Sequence, residues 1–328
     1  NDIDIGKITY DDVLRRSGIA SFNKFSFKLV YHFAEAMNKS DQYKKILSKI
    51  DVVSTIQSEH QFIPSAIIFQ QTLKNKIKVY SRNGHGTRMS IRKFSSFSKR
   101  YTFTTDETEK LFKFIYKERR HLASKLGYKL IKKRLSGNWK AYFEIERIGG
   151  HGNKKNYSKK ELCKILNWDI NKPIVAIFSH SLIDGNYRNG RRKIFKDNYT
   201  WSYQTINIIK KFKKTNWIIK QHPSEYYYAS KFNFSTYVKE IEEKYEHIRL
   251  CPVSLNDATL KKYTDIAITS HGTSGVEYPA FGTPAINVED CFISHIGCST
   301  QSKSLKHYKQ LLSKAHKMTK ISKKKIEK

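Results

Sequence analysis

The sequence has no run of about twenty apolar residues, so it offers no membrane-spanning helix. Its four cysteines, Cys163, Cys251, Cys291 and Cys298, show no paired metal-ligand spacing. Cys163 and Cys251 lie in apolar surroundings, which points to reduced core thiols in a cytoplasmic protein rather than to a disulfide framework or a zinc site. There is no zinc-finger pattern, RNP-like run, recognisable helix-turn-helix or internal repeat. The chain opens at Asn1 without a signal-peptide pattern, and the native protein is expected to begin upstream. Acidic residues are the largest deficit: 29 Asp and Glu stand against 62 Lys and Arg, a formal charge of +33. Such a field attracts nucleic acid, anionic lipid or acidic polysaccharide. The bases are spread along the whole chain, so no specific nucleic-acid partner is expected. Abundant Lys, Ile, Asn and Tyr also fit a compositionally biased genome, which inflates lysine with no function attached.

What is present begins with Ile266 to Ile286. Ile266-Ala-Ile reads as a buried strand, followed by small polar residues, a short helix, and a second strand after Gly282-Thr-Pro284. Ser270, His271, Gly272, Thr273 and Ser274 then sit where a strand ends and a helix begins. Free N–H groups and the helix dipole favour an anion there, usually a phosphate. Thr273 and Ser274 can cap and donate, and Gly272 and Gly275 allow close approach to the backbone. Glu277, one turn on, can hold a sugar hydroxyl. An ordinary strand–helix loop would look similar. Two further strands decide between these readings: Trp217-Ile-Ile ends at Lys220, His222 and Ser224, and Pro173 to Phe178 ends at Ser179, His180 and Ser181. In an open parallel sheet, ligands bind beyond the strands' carboxyl ends. Three polar strand ends on one edge make a site.

The strand–helix alternation gives the organisation. A helix lies within residues 1–20, and one or two more lie in 22–50. Residues 51–56, 64–73 and 77–80 read as strand, helix and strand, a βαβ unit. Residues 105–145 are basic helices, and Gly149 to Lys155 is the linker candidate. Ser158-Lys-Lys-Glu161 is a capping box, a second α/β unit runs over about 172–300, and a basic helix over 305–316 precedes a lysine tail. The expected division is a Rossmann-like domain over 1–155, a second over 156–302, and a basic helix and tail over 303–328.

Several segments together resemble the capsule and surface-polysaccharide glycosyltransferases of bacteria, including the Kdo-transferase type. They are the Ser-His-Ser strand end, Asp197-Asn-Tyr-Thr-Trp201, Ile219-Lys-Gln-His-Pro-Ser-Glu225, and Thr264 through Pro284. Ile5-Gly-Lys-Ile-Thr-Tyr-Asp-Asp-Val-Leu-Arg15 is similar to that group's "IGDLIYDxxLR" segment, with Lys7 in place of its acid. The resemblance covers roughly residues 3–15, 50–85 and most of 165–300. It implies a GT-B-like α/β fold, with two Rossmann-like domains facing a cleft. It also implies a nucleotide-sugar donor (a CMP-sugar such as CMP-Kdo preferred) held by the carboxyl-terminal domain, and a growing glycan or lipid-linked acceptor on the other. No metal or cofactor is expected.

In such a transfer the leaving phosphate needs positive or hydrogen-bonding groups. Lys220, His222 and the amides of 273–275 can supply them, and His222 can donate a proton, with His271 competing for that role. Asp11 is the first candidate for general base and Glu59 the second, with Asp12 or His60 as substitutes. Arg15 and His60 are acceptor-side candidates, though Arg15 can equally pair with Asp11. A CDP-glycerol-type phosphotransferase of teichoic-acid-like polymer synthesis shares the same phosphate logic, and product mass separates the two. A non-catalytic basic nucleic-acid binder would instead show salt-dependent nucleic-acid binding and no nucleotide-sugar affinity. The implied substrates place the protein in the cytoplasm, peripheral on the inner membrane face, with helices 105–145 and 303–328 drawn to anionic lipid.

Overall fold

The computed structural model describes residues 3–22, 24–83, 90–96, 106–135, 154–187, 192–228, 230–291, 294, 296–322 and 326. Two compact units emerge. The first comprises residues 1–103, 182–190 and 228–232, and the second 104–181, 191–227 and 233–328. The second therefore takes in residues 104–155, which the sequence alternation assigns to the amino-terminal half. Of the expected linker, residues 149–153 lie outside the described set. Lys155 is bonded into the second unit, donating to the Ser254 carbonyl at 3.1 Å.

The first unit opens with α1 (Ile5–Ser17), closed by Gly18 in the left-handed region, with Arg15 and Arg16 in its last turn beside the dipole's negative end. Next, α2 (Phe27–Leu47) starts at Ser26, whose hydroxyl caps Leu29 N–H at 3.3 Å. The expected βαβ unit follows as β1 (Ser54–Gln57), α3 (Ser65–Lys74) and β2 (Lys78–Asn83), with β1 and β2 parallel. Unforeseen in the sequence, β3 (Ser90–Phe94) closes this sheet antiparallel to β2.

In the second unit, α4 (Asp106–Glu118) and α5 (Arg120–Leu135) are the expected basic helices. The capping box forms as read: Ser158 Oγ accepts Glu161 N–H, and the Glu161 carboxylate accepts Ser158 N–H, at the start of α6 (Lys159–Ile165). Then come β4 (Ile174–Phe178), α7 (Asn198–Ile209), β5 (Asn216–Lys220), α8 (Phe234–Glu242), β6 (Ile248–Leu250), α9 (Asp257–Tyr263), β7 (Ile266–Thr269), α10 (Ser274–Glu277), β8 (Ala285–Asn287), β9 (Thr300–Gln301) and α11 (Leu305–Ser313). The strands form one parallel sheet in the order β6-β5-β4-β7-β8-β9. Ile174, Val175, Ile218, Ile219, Ile266 and Ile268 are fully or almost fully buried, as expected of parallel strands covered on both faces. Each such side chain contributes about 1.5–3 kcal/mol by leaving water.

The carboxyl-terminal helix is part of this core. Tyr308 of α11 is fully buried, accepting Trp201 Nε1–H at 3.3 Å and bonding the Thr205 hydroxyl at 3.0 Å. α11 ends at Ser313, shorter than the reading to 316, and a 3-10 turn spans Ala315–Lys317.

Candidate functional site

Counted from β4, the sheet order is 3-2-1-4-5-6, so the chain reverses direction across the sheet between β4 and β7. At such a switch point the connections leave on opposite sides and open a crevice at the carboxyl ends. Ser179-His180-Ser181 follows β4 and Ser270-His271-Gly272 follows β7, so the topology brings two of the three expected clusters to that edge. β5, beside β4, brings the third with His222.

These side chains bond to one another. The His180 and His271 rings stack at 4.0 Å with 17° between planes, and His222 lies parallel to His180 at 6.2 Å. His180 Nε2 accepts His271 N–H at 3.3 Å and lies 3.1 Å from Thr269 Oγ1, which itself accepts Gly272 N–H at 3.0 Å. A nitrogen that accepts carries no proton, so neutral His180 holds its proton on Nδ1 and Thr269 donates to Nε2. Burial holds His180 well below the usual histidine range, with the neighbouring His222 and the Arg192 charge adding to it. His271 is held low by burial too, then by His180, Arg192 and His222.

His222 is oriented from both sides. Its N–H donates to Ser179 Oγ at 3.0 Å, and its Nδ1 accepts Ser224 N–H at 3.2 Å. In the neutral ring the proton is therefore on Nε2, which makes that edge a donor. Pro223 opens a 3-10 turn with His222 as its cap, which fixes the ring at the strand's end. Gly272 is required by space: a Cβ there would meet Thr269 Oγ1 at 2.8 Å and His180 Cε1 at 3.2 Å.

Arg192 supplies the positive charge, and the motif reading missed it. Its Nη1 donates to Ser270 Oγ at 3.1 Å, its Nη2 donates to Asn198 Oδ1, and Ser270 Oγ lies 3.1 Å from His271 Nδ1. The loop that carries it is clamped by Glu289, which is 1% exposed and accepts N–H groups from Lys193 at 2.6 Å and Phe195 at 2.7 Å. Asn198 also donates to the Ser181 carbonyl at 2.8 Å. The available signal was the run Arg191-Arg192-Lys193 just ahead of the Asp197 helix cap.

Two expectations change here, for Lys220 and for Thr273. Lys220 is ion-paired with Asp257, the first residue of α9, and Arg192 rather than Lys220 acts on both buried histidines. The helix after Thr273 has four residues, because Pro279 starts a 3-10 turn that Gly282 closes at a φ of 88°. Its dipole is correspondingly small, so side chains rather than a helix end dominate the site. Thr273 is exposed and makes no side-chain cap bond, while Ser274 is buried. Glu277 ends that turn and acts on Lys261, which burial pulls down to about 7 against the carboxylate's support.

The amino-terminal candidates lie in the first unit. Asp11, 2% exposed, accepts Asn186 N–H at 2.9 Å and Tyr187 N–H at 3.1 Å, one on each oxygen. That geometry gives it a holding task. Asp12 accepts from His32 at 2.7 Å, Arg16 at 3.1 Å and Ile63 N–H at 3.2 Å. Arg15 does not pair with Asp11: it lies 3.9 Å from Asp184 and 3.7 Å over the Tyr228 ring. His60 stacks on Phe69 at 5.1 Å and packs beside Phe94 at 5.5 Å. Glu59 is half-buried, with Oε1 accepting the N–H groups of His60 and Gln61 at 2.8 Å each. Among the described residues one cluster, Asp12, His32 and Glu35, has ligand atoms close enough for a metal ion. Arg16 donates to both of its carboxylates, so a guanidinium already supplies that positive charge.

No protein-family model matches the sequence, and no curated protein does. Solved structures do superpose on it. KpsC of Thermosulfurimonas dismutans, a beta Kdo 2,4 transferase, matches at 9% identity and TM-score 0.47, over 84% of this chain and 77% of its own. A UDP-GlcNAc 2-epimerase of Methanocaldococcus jannaschii, bound to UDP-GlcNAc and UDP, matches at 14% identity and TM-score 0.37, over 92% of this chain and 76% of its own. A glycosyltransferase of Rickettsia africae matches at 13% identity and TM-score 0.36, over 90% and 72%. Likenesses this distant say nothing of chemistry. The α/β fold with its parallel sheet is read from the strand order itself.

Proposed function

We propose that this chain is a metal-independent glycosyltransferase of the GT-B type, using a nucleotide sugar to extend a surface or capsular polysaccharide or its lipid-linked acceptor. The observation that carries the reading is the cluster at the β4/β7 switch point: Arg192, Ser270 and three imidazoles, where a doubly wound sheet binds nucleotides. The segments that build it are also the ones that resemble the capsule enzymes.

Ser179, His180, Ser270, His271, Gly272 and Arg192 would form the donor's phosphate cradle, with Thr273, Ser274 and Glu277 toward the sugar and Lys220 shaping the wall through Asp257. The acceptor oxygen attacks the anomeric carbon, the bond from that carbon to the phosphate oxygen breaks, and the phosphate carries the electron pair away. Arg192 meets the departing charge and His222 Nε2–H can protonate it. Glu59 is the proposed base on the acceptor side, where Arg15 remains the candidate for an acidic acceptor. CMP is the preferred nucleotide, from the sequence resemblance alone. The setting proposed is the inner membrane face; no helix among the described residues is long and apolar enough to cross a membrane.

A thermal-shift series with CMP, UDP, GDP and CDP tests the reading, since a ligand that binds the folded state raises its apparent stability. CMP should give the largest rise, and His222→Ala should lower turnover with a CMP-sugar about 10²-fold. Silence toward all four nucleotides would defeat the proposal.

A further inference from the structure

We propose that the cleft between the last turn of α1 and the first turns of α2 docks the protein on an anionic membrane surface. The proposal deepens the membrane part of the reading above and rests on it, but its residues belong to the first unit rather than to the phosphate cradle and were not among the basic helices expected to meet lipid.

The observation is a reversed helix face. α2 buries His32, Ala36 and Ser40, spaced by four residues. Phe27, Val30 and Tyr31 share a different stripe and face solvent, at 94%, 40% and 65% exposure. Phe25 is 83% exposed just before the helix and Phe33 46% exposed beside the stripe. Five large apolar side chains within nine residues form an exposed patch of the kind that marks an interaction surface.

Charge identifies the occupant. A cavity of about 730 Å³ adjoins the patch, lined by Arg15, Arg16, Lys28, Tyr31, Tyr228 and Lys231 among others. Asp12 and Glu35 compensate Arg16. Arg15 pairs with Asp184 at 3.9 Å and lies 3.7 Å over the Tyr228 ring. Lys24, Lys28 and Lys231 are exposed. Aromatic side chains beside exposed lysines, in a chain of formal charge +33, match a bilayer boundary: rings enter the acyl edge while the lysines meet lipid phosphates.

Co-sedimentation with vesicles of phosphatidylcholine, alone and with phosphatidylglycerol, tests this at low and physiological salt. The unsubstituted protein should bind only the mixed vesicles, more weakly as salt rises. Phe25→Ser/Phe27→Ser/Tyr31→Ser should lower that affinity at least about tenfold, and Lys28→Glu/Lys231→Glu should do the same. Leu122→Ser/Leu126→Ser in α5 and Lys306→Glu/Lys309→Glu in α11 should stay within about twofold. Phe27→Trp, a conservative change at an exposed site, should shift its emission to shorter wavelength on mixed vesicles.

Equal binding to neutral vesicles, binding kept by the triple-serine variant, or loss in the α5 or α11 variant instead would overturn the proposal. So would a concentration-dependent dimer that the triple-serine variant abolishes, which would make the patch an interface between copies. The CMP thermal shift is read on the same samples. Silence toward CMP, UDP, GDP and CDP alike with vesicle binding intact would overturn the glycosyltransferase reading alone, and the converse would overturn the docking alone.

Discussion

At the β4/β7 edge, Arg192, Ser270, His271, His180 and Thr269 are bonded to each other before any ligand arrives, and Glu289 clamps the loop that carries the guanidinium. At the α1/α2 cleft the cations belong mostly to exposed lysines, and the rings beside them face water. Both regions attract anions, with different consequences. A clamped cation among neutral, buried imidazoles can distinguish one phosphate geometry from another, because its donors do not reorganise. Lysines on long stems give a field that salt screens and that tolerates many partners. The net charge of the chain says which kind of ligand approaches, and the burial of a few polar groups says where one is recognised.

Removing the clamped charge should have the largest effect. Arg192→Ala should lower turnover about 10³-fold and abolish the CMP thermal shift, because Ser270 and His271 lose the donor that orders them. Lys28→Ala, an equal loss of formal charge, should leave both unchanged within about twofold. Steady-state kinetics on the two variants checks it. Comparable losses would mean that net charge, and not the built cradle, governs the donor.

Much of this second unit was legible in the sequence because parallel strands buried on both faces announce themselves as short apolar runs, as Ile174 to Phe178 and Ile266 to Ile268 do. The Ser158–Glu161 capping box was readable for a similar reason: its partners are three residues apart. Arg192 was hidden because its role depends on Glu289 and Ser270, which are 97 and 78 residues away and adjacent only in the fold. The helix after Thr273 is short, as read, because Pro279 opens a 3-10 turn after it. β3 went unread since Ser90-Ile-Arg-Lys-Phe94 carries only two apolar residues, on opposite faces, with Phe94 buried and Ile91 exposed.

Within the first unit, Asp11 holds structure while Glu59 is the proposed base. Asp11→Asn keeps the side chain's shape but replaces one acceptor oxygen by a donor facing an N–H of Asn186 or Tyr187. It should cost about 3 kcal/mol of stability, read by denaturant unfolding. Glu59→Gln should change stability by less than about 1 kcal/mol, and lower turnover about 10²-fold if Glu59 is the base. An Asp11→Asn protein of unaltered stability with no turnover would return the base role to Asp11.

The smallest effect expected is on the pH dependence of stability, and it addresses the imidazoles themselves. His180 and His271 are both held below the ordinary value near 6.5, first of all by burial, so the folded state keeps them neutral at a pH where the unfolded chain has begun to protonate. The unfolded state then binds more protons, and stability falls as pH drops from about 6.5 toward the lowered folded values. Above about 6.5 both states are neutral and these two groups contribute no slope. Between pH 7 and 5 the unfolding midpoint in urea should therefore decline, with a steepness of up to about two protons per molecule from this pair. Replacing His271 by Asn should remove up to about one of them. A cationic cleft built from lysines predicts no such slope in this range, because lysine stays charged throughout it. An unchanged slope in His271→Asn would mean that its ring is protonated in the folded state, and that the cradle carries one more positive charge than the bonding pattern assigns to it.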